Sequence, residues 1–384
     1  MSEDYGLRTG TASLRSAGPI TFGPAGILFL ADNAAARVLA VDVADPGPAS
    51  PPEPLDLEDV DARVGSFLGC APADVIIRDL AVHPVSRAVY LSVQRGLGDD
   101  ALAVLVRVDP ADGSVAEVPL DGVPLAAADI ADAPALDDER LDTTLPQGNE
   151  GEEVTFGDRT FRLLRRPIRT ATVTDMAYVP GPDGPGSTDG TGSTAGTGGT
   201  LLVAGLSGEE FASRLRRIPF PFGDPAQATS LEIFHVSHGR WETAAPIRAF
   251  VPYDGGAAVL ATYTCTPLVH FRLADLAPGA KVTGRTVAEL GAVNQPLDMV
   301  SFRQDGREFL LVANSRHGLV KIDCRDVDAQ DPLTEPKEPV GVPRETKDLA
   351  GISRLATVGG SHVLALQTGP DGRRHLRALK ADSL

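Results

Sequence analysis

The sequence is short of positive charge, aromatic rings, cysteine and uninterrupted apolar runs, and each shortage excludes something. Lys and Arg number 35 against 52 Asp and Glu, for a formal net charge of −17. Nucleic acid and anionic membranes need clustered cations, so neither is expected as the main partner. The one local basic run, RLLRRPIR at 162–169, is too short to reverse that expectation. No apolar stretch approaches the roughly 20 residues that span a bilayer, so no membrane insertion is expected. The start, MSEDYGL, has neither a basic n-region nor an apolar h-region, and the chain is read as cytoplasmic. Cys70, Cys265 and Cys324 are odd in number and far apart, which predicts reduced thiols and neither a disulfide framework nor a structural zinc site.

Catalytic signatures are missing too. There is no GxxxxGK[ST] phosphate loop, since GTGSTAGTGG lacks the lysine and the strand-to-helix setting, and there is no GxSxG elbow or HExxH pair. His235 and His238, in IFHVSHGRW, stand three apart, a spacing that on a strand separates the two rings; they read as a packed histidine and a turn histidine.

What the sequence has is glycine and proline, 40 and 31 of them, and a repeat of short strands between turns. The words IRDLAVH, VTDMAYV, PIRAFVP and PLDMVSF each open a unit of an apolar strand, a turn, a second strand rich in Leu, Val and Ala, a polar loop and a third strand. PITFGPAGILFLADN and GISRLATVGGSHVLALQ complete the set. Six units of antiparallel strands predict an all-β, six-bladed β-propeller in one domain, because such sheets bury both faces against their neighbours. A seventh blade is the alternative, from the hairpin-like EEVTFGDRTFRLL. The last unit lacks a fourth strand, and the N-terminal LRTGTASLRS is expected to join it and close the ring.

The words DLAVHP, GILFLADN and LLVAN resemble those of the NHL, YVTN and gluconolactonase (SMP-30-like) propellers over nearly the whole chain. The resemblance implies the fold. It also implies, as one option, a metal-dependent small-molecule hydrolase or lactonase with a hard cation such as calcium at the channel. That family carries a glutamate near the start of its first blade, where this chain has Thr21, so the match is incomplete.

Superposing the six words puts Thr21, Asp79, Asp175, Arg248, Asp298 and Ser353 at one position near the top of the channel-lining strands. Asp79, Asp175 and Asp298 are the candidate metal ligands, since such a ring of carboxylates wants Arg248, a metal ion or water between its charges. The loops after the second strands add Asp32, Glu209, Glu210, Cys265 and Asn314 to the ligand-binding set on the same face. Three long stretches, 44–76, 121–172 and 207–229, are expected to gather over the channel mouth, while the Gly/Ser/Thr tract within 181–200 reads as a flexible loop at the opposite face. The functional expectation is a propeller that binds a small molecule or a protein at its top face, with the cation-dependent hydrolase as the alternative and a cofactor-dependent, propeller-type oxidoreductase as a further enzymatic variant.

Overall fold

The structure is a computed structural model and describes residues 5–45, 47, 52–98, 100–144, 151–156, 159–181, 198–264, 267–291, 294–335 and 340–384. Cys265 and most of the 181–200 tract lie outside these residues.

Turn chemistry cuts the chain into strands. Asp305 and Gly306 both take positive φ, 51° and 74°, which is the type I′ geometry that lets Pro296–Gln304 fold back onto Arg307–Asn314. In the DPADG word, Gly113 sits at φ 70° and closes the hairpin between Leu102–Val108 and Val115–Glu117. Between such turns, β-branched and leucine-rich runs pair antiparallel into six main sheets.

Sheet one contains Ile20–Phe22, Ile27–Asp32 and Arg37–Asp42, with Val123–Asp129 and Arg8–Gly10 added outside. Sheet two runs outward from Val75–Val82 to Val115–Glu117. Sheet three holds Asp175–Pro180, Gly199–Leu206, Ser213–Phe220, Gln227–His235 and Arg240–Glu242, and takes one short parallel strand, Lys281–Thr283. Sheets four, five and six start at Ile247–Tyr253, Pro296–Gln304 and Ile352–Val358. A separate three-stranded accessory sheet is formed by Leu141–Thr144, Arg159–Pro167 and Glu152–Phe156.

The innermost strands of the six main sheets touch one another in the order one, three, four, five, six, two, and sheet two also touches sheet one. Apolar layers fill every one of these junctions. Phe29 of sheet one packs with Ile218 and Phe220 of sheet three, and Leu364 and Leu366 of sheet six pack with Leu80 and Leu91 of sheet two. Side chains of this kind, wholly removed from water, contribute about 1.5–3 kcal/mol each. Sheets packed face to face around a central channel make a β-propeller. The contacts between sheets are side-chain packing, and no sheet closes on itself. Among the described residues no helix is long and apolar enough to cross a membrane.

Several expectations are corrected here. The N-terminal strand does not join the last sheet: Arg8–Gly10 pairs with Val123–Asp129 at the outer edge of sheet one. Sheet six instead receives one backbone bridge, Leu57 to Leu376, from the 44–76 stretch. That stretch does not cover the channel mouth; its helix Val60–Leu68 buries Val60 and Val64 in the core between sheets two and six. The 207–229 stretch is no loop insertion, because Ser213–Phe220 is the middle strand of sheet three, paired on both sides. The EEVTFGDRTFRLL hairpin does form, within the accessory sheet.

Candidate functional site

The three aspartates do line the channel, a cavity of about 310 Å³ bounded by the innermost strands. They repeat one device. Asp79, Asp175 and Asp298 each accept the N–H of the following residue with Oδ1, at 2.9, 2.7 and 2.7 Å. With Oδ2 each accepts an N–H from the next sheet: Ile20 at 2.8 Å, Phe250 at 2.7 Å and Leu355 at 2.8 Å. The carboxylates therefore staple junctions two–one, three–four and five–six, every second junction round the channel.

Two N–H donors favour the ionised form, but burial and mutual repulsion outweigh them. Asp298 is pushed up to about 7 by burial and by the charge of Asp79, with Arg354 opposing the rise. Asp175 is raised well above the carboxylate range by burial and by Asp298 and Asp79, and Asp79 is raised by burial despite Arg354 beside it. The expected metal set is not assembled. Among the described residues the three carboxylates do not meet within 4.8 Å, and their oxygens already hold backbone amides.

Above the channel lies a pocket of about 360 Å³. Its lining carries five arginines, Arg78, Arg166, Arg169, Arg248 and Arg354, against one carboxylate, Asp142. Gln94, Gln295, Thr144 and Thr174 add neutral polar groups, and Leu136, Leu164 and Leu297 add apolar walls.

Backbone bulges place several of these cations. In sheets two, four, five and six the register slips by one residue at Arg78, Arg248, Leu297 and Ser353. A bulged residue leaves the ladder and its side chain is re-aimed. Arg248 is thus the counterpart of Arg78 and not of the aspartates, and Arg354 occupies the aspartate position in sheet six. Its guanidinium ties three inner strands together through Arg78 O at 2.7 Å, Leu297 O at 3.0 Å and Ser353 O at 2.7 Å. Nε also stands 3.7 Å from Asp79 Oδ1.

Arg248 forms a two-pronged pair with Asp142 of the accessory sheet, at 2.8 and 2.7 Å, and donates to Thr264 Oγ1 at 2.8 Å. Arg169 donates to three carbonyls, Asn33 O, Ala34 O and Pro134 O, at 2.9, 3.1 and 2.6 Å. Carbonyls satisfy the N–H groups of a guanidinium but leave its charge in place, so the pocket keeps a positive potential. Among the described residues of the three long stretches expected at the mouth, only those of 121–172 line this pocket, through Leu136, Asp142, Thr144, Leu164, Arg166 and 169–171.

Of the other expected site residues, Asp32 and Asn314 serve the scaffold. Asp32 is fully buried and accepts the N–H groups of Arg15, Ser16 and Ala35, which fixes the segment that supplies Ser16–Pro19 to the pocket wall. Asn314 is buried and bonded to Asn294 and Val312 O. Glu209 pairs with Arg214 beside a separate hollow of sheet three, and Glu210 is exposed next to it. Cys265 lies outside the described residues. The signal for the missed residues was present: Arg166 and Arg169 come from the RLLRRPIR run, and Arg78 and Arg354 stand inside two of the repeated words.

No protein-family model matches the chain, and no curated protein does. Among solved structures it is similar to the C-terminal WD40 domain of Sif2, at 10% identity and a TM-score of 0.37, covering 97% of this chain and 98% of that one. It is similar to the β-propeller domain of Cps50 (Swd1) from Myceliophteria thermophila, at 10% identity and 0.36, covering 94% and 83%. The PQQ-bound aldose sugar dehydrogenase from Streptomyces coelicolor gives 13% and 0.33, covering 96% and 95%. Likeness at this level assigns neither a family nor an activity.

Proposed function

We propose that the chain is a six-bladed propeller that binds a small anionic ligand, one bearing carboxylate or phosphate groups, in the pocket above its channel. The observation that carries this reading is the excess of five guanidinium groups over one carboxylate in a lining of about 360 Å³, on a chain of net charge −17. Arginine forks match the planar geometry of carboxylates and the oxygens of phosphates, and in a recessed site their charge is poorly screened. The volume suits a small metabolite. Arg78, which donates to Gln94 Oε1 at 2.6 Å, and Arg166 line the same pocket, and these two are the groups assigned to the ligand.

Calorimetric titration with citrate, succinate, inorganic phosphate and glucose 6-phosphate, with glucose as the uncharged control, tests this. At least one anion is expected to bind and glucose is not. Arg78→Gln and Arg166→Gln should each weaken binding by about tenfold or more, as loss of a charge-assisted hydrogen bond does. Failure of every anion, or affinity unchanged in the double variant, would overturn the reading.

A further inference from the structure

The hairpin at the outer edge of sheet three carries a cluster that the pocket does not use. Strand Gln227–His235 ends at its histidine, a 3-10 turn Val236–His238 follows, Gly239 reverses the chain at φ 62°, and Arg240–Glu242 returns alongside. The turn cancels the strand alternation that would separate residues three apart. The two imidazoles lie 3.8 Å apart between ring centres, tilted by 35°. Glu242 reaches both, with Oε2 at 2.8 Å from His235 Nδ1 and Oε1 at 2.8 Å from His238 Nδ1. One donor atom from each of the three residues lies within 4.8 Å of the other two. Inside the same turn, two buried polar atoms, His235 Nε2 and Ser237 Oγ, have no hydrogen-bond partner.

We propose that His235, His238 and Glu242 form a binding site for a divalent transition-metal ion of the zinc type. Two imidazoles and a carboxylate are the donors that Zn²⁺ takes, whereas Ca²⁺ and Mg²⁺ ask for a shell of oxygens. Bond lengths of about 2.0–2.1 Å to each donor separate tetrahedral ligands by ~3.3 Å, so the 2.8 Å contacts open by about half an ångström to admit the ion. Three protein donors leave a fourth position toward solvent, on the side where His238 is 41% exposed. Arg240 is the competitor: its Nε stands 2.9 Å from Glu242 Oε1, and its side chain, 67% exposed, has room to swing away.

The competition gives the test a sign. Untagged protein, stripped with EDTA and exchanged into metal-free buffer, is titrated with ZnCl₂ and separately with MgCl₂, and bound metal is counted by elemental analysis. One equivalent of zinc is expected, and no magnesium. His238→Ala and Glu242→Gln should each weaken zinc binding by at least about tenfold. Arg240→Ala, which removes the competing cation, should tighten it severalfold. Wild-type protein that takes up no zinc, or zinc uptake equally tight in His238→Ala and Glu242→Gln, would overturn the site. Far-UV circular dichroism checks each variant for folding; should Glu242→Gln unfold, His238→Ala at its exposed position still decides.

Discussion

At the scale of single residues, two side-chain types of opposite charge bind the backbone around the same axis. The channel aspartates hold backbone amides across junctions and have their protonation raised by burial and by one another. At the mouth Arg169 and Arg354 hold backbone carbonyls, while Arg248 pairs with the carboxylate of Asp142. The aspartates make a testable signature in pH. With Asp298 at about 7 against an ordinary 3.8, the native state binds a proton over a window where the unfolded chain has released it. That contribution to stability is fully present below about pH 4 and is lost as pH rises through about 7. Asp175 acts in the same direction. The melting temperature should therefore fall between pH 6 and pH 8. Asp298→Asn, which cannot titrate, should flatten that fall while lowering the plateau by about 1 kcal/mol, because its amide N–H₂ faces one of the two backbone N–H donors. An identical pH slope in wild type and variant would show that Asp298 does not titrate in this range.

At the scale of elements, the 44–76 stretch is the clearest case of a segment acting as scaffold. Leu57 exchanges two backbone hydrogen bonds with Leu376, at 2.9 and 2.8 Å, and its side chain is buried among those of sheets two and six. Leu57→Ala should cost about 2–5 kcal/mol in urea unfolding, the range for a buried leucine emptied to a cavity; a cost under about 0.5 kcal/mol, typical of a surface loop, would show that the stretch is not docked. This element also shows where the sequence was readable. Strands bounded by DPADG or QDGR declare themselves, because a turn that needs positive φ needs Gly, Asp or Asn, and that chemistry is local. The strand SRLRRIPF does not, since its arginines look like solvated residues. In the structure Arg216 is buried, with Nε on Asp132 at 2.7 Å and its other nitrogens on Thr172 O and Leu206 O. Those partners lie up to 84 positions away, and nothing in the strand announces them. The mouth pocket was half readable for the same reason. RLLRRPIR is visibly basic, but the bulges that turn Arg78 and Arg248 upward, one residue out of step with the aspartates, follow from pairing and not from composition.

At the scale of the whole molecule, the order of sheets around the channel departs from their order in the chain. Sheet two, second in sequence, lies between sheets one and six, and the chain returns from it to add Val123–Asp129 to sheet one before starting sheet three. Sheet one therefore meets sheet three directly. No residue pattern foretold this, because the faces between sheets are built alike from Leu, Val and Ala, and any two would pack plausibly. The one–three junction has a distinctive marker, an aromatic cluster in which Phe29 meets Phe220 edge to face at 4.8 Å between ring centres and 86° between planes. Tyr178 and Phe222 pack around the same pair. Aromatic pairs in such contact carry about 0.5–1.5 kcal/mol beyond their buried area. A double-mutant cycle with Phe29→Leu and Phe220→Leu, read by urea unfolding, should return a coupling of that size. If sheets followed one another in chain order, sheet two would stand between the rings, and the two substitutions would add independently within about 0.3–0.5 kcal/mol. Coupling therefore distinguishes the interleaved ring from the sequential one without a second structure, and additivity would refute the interleaved order.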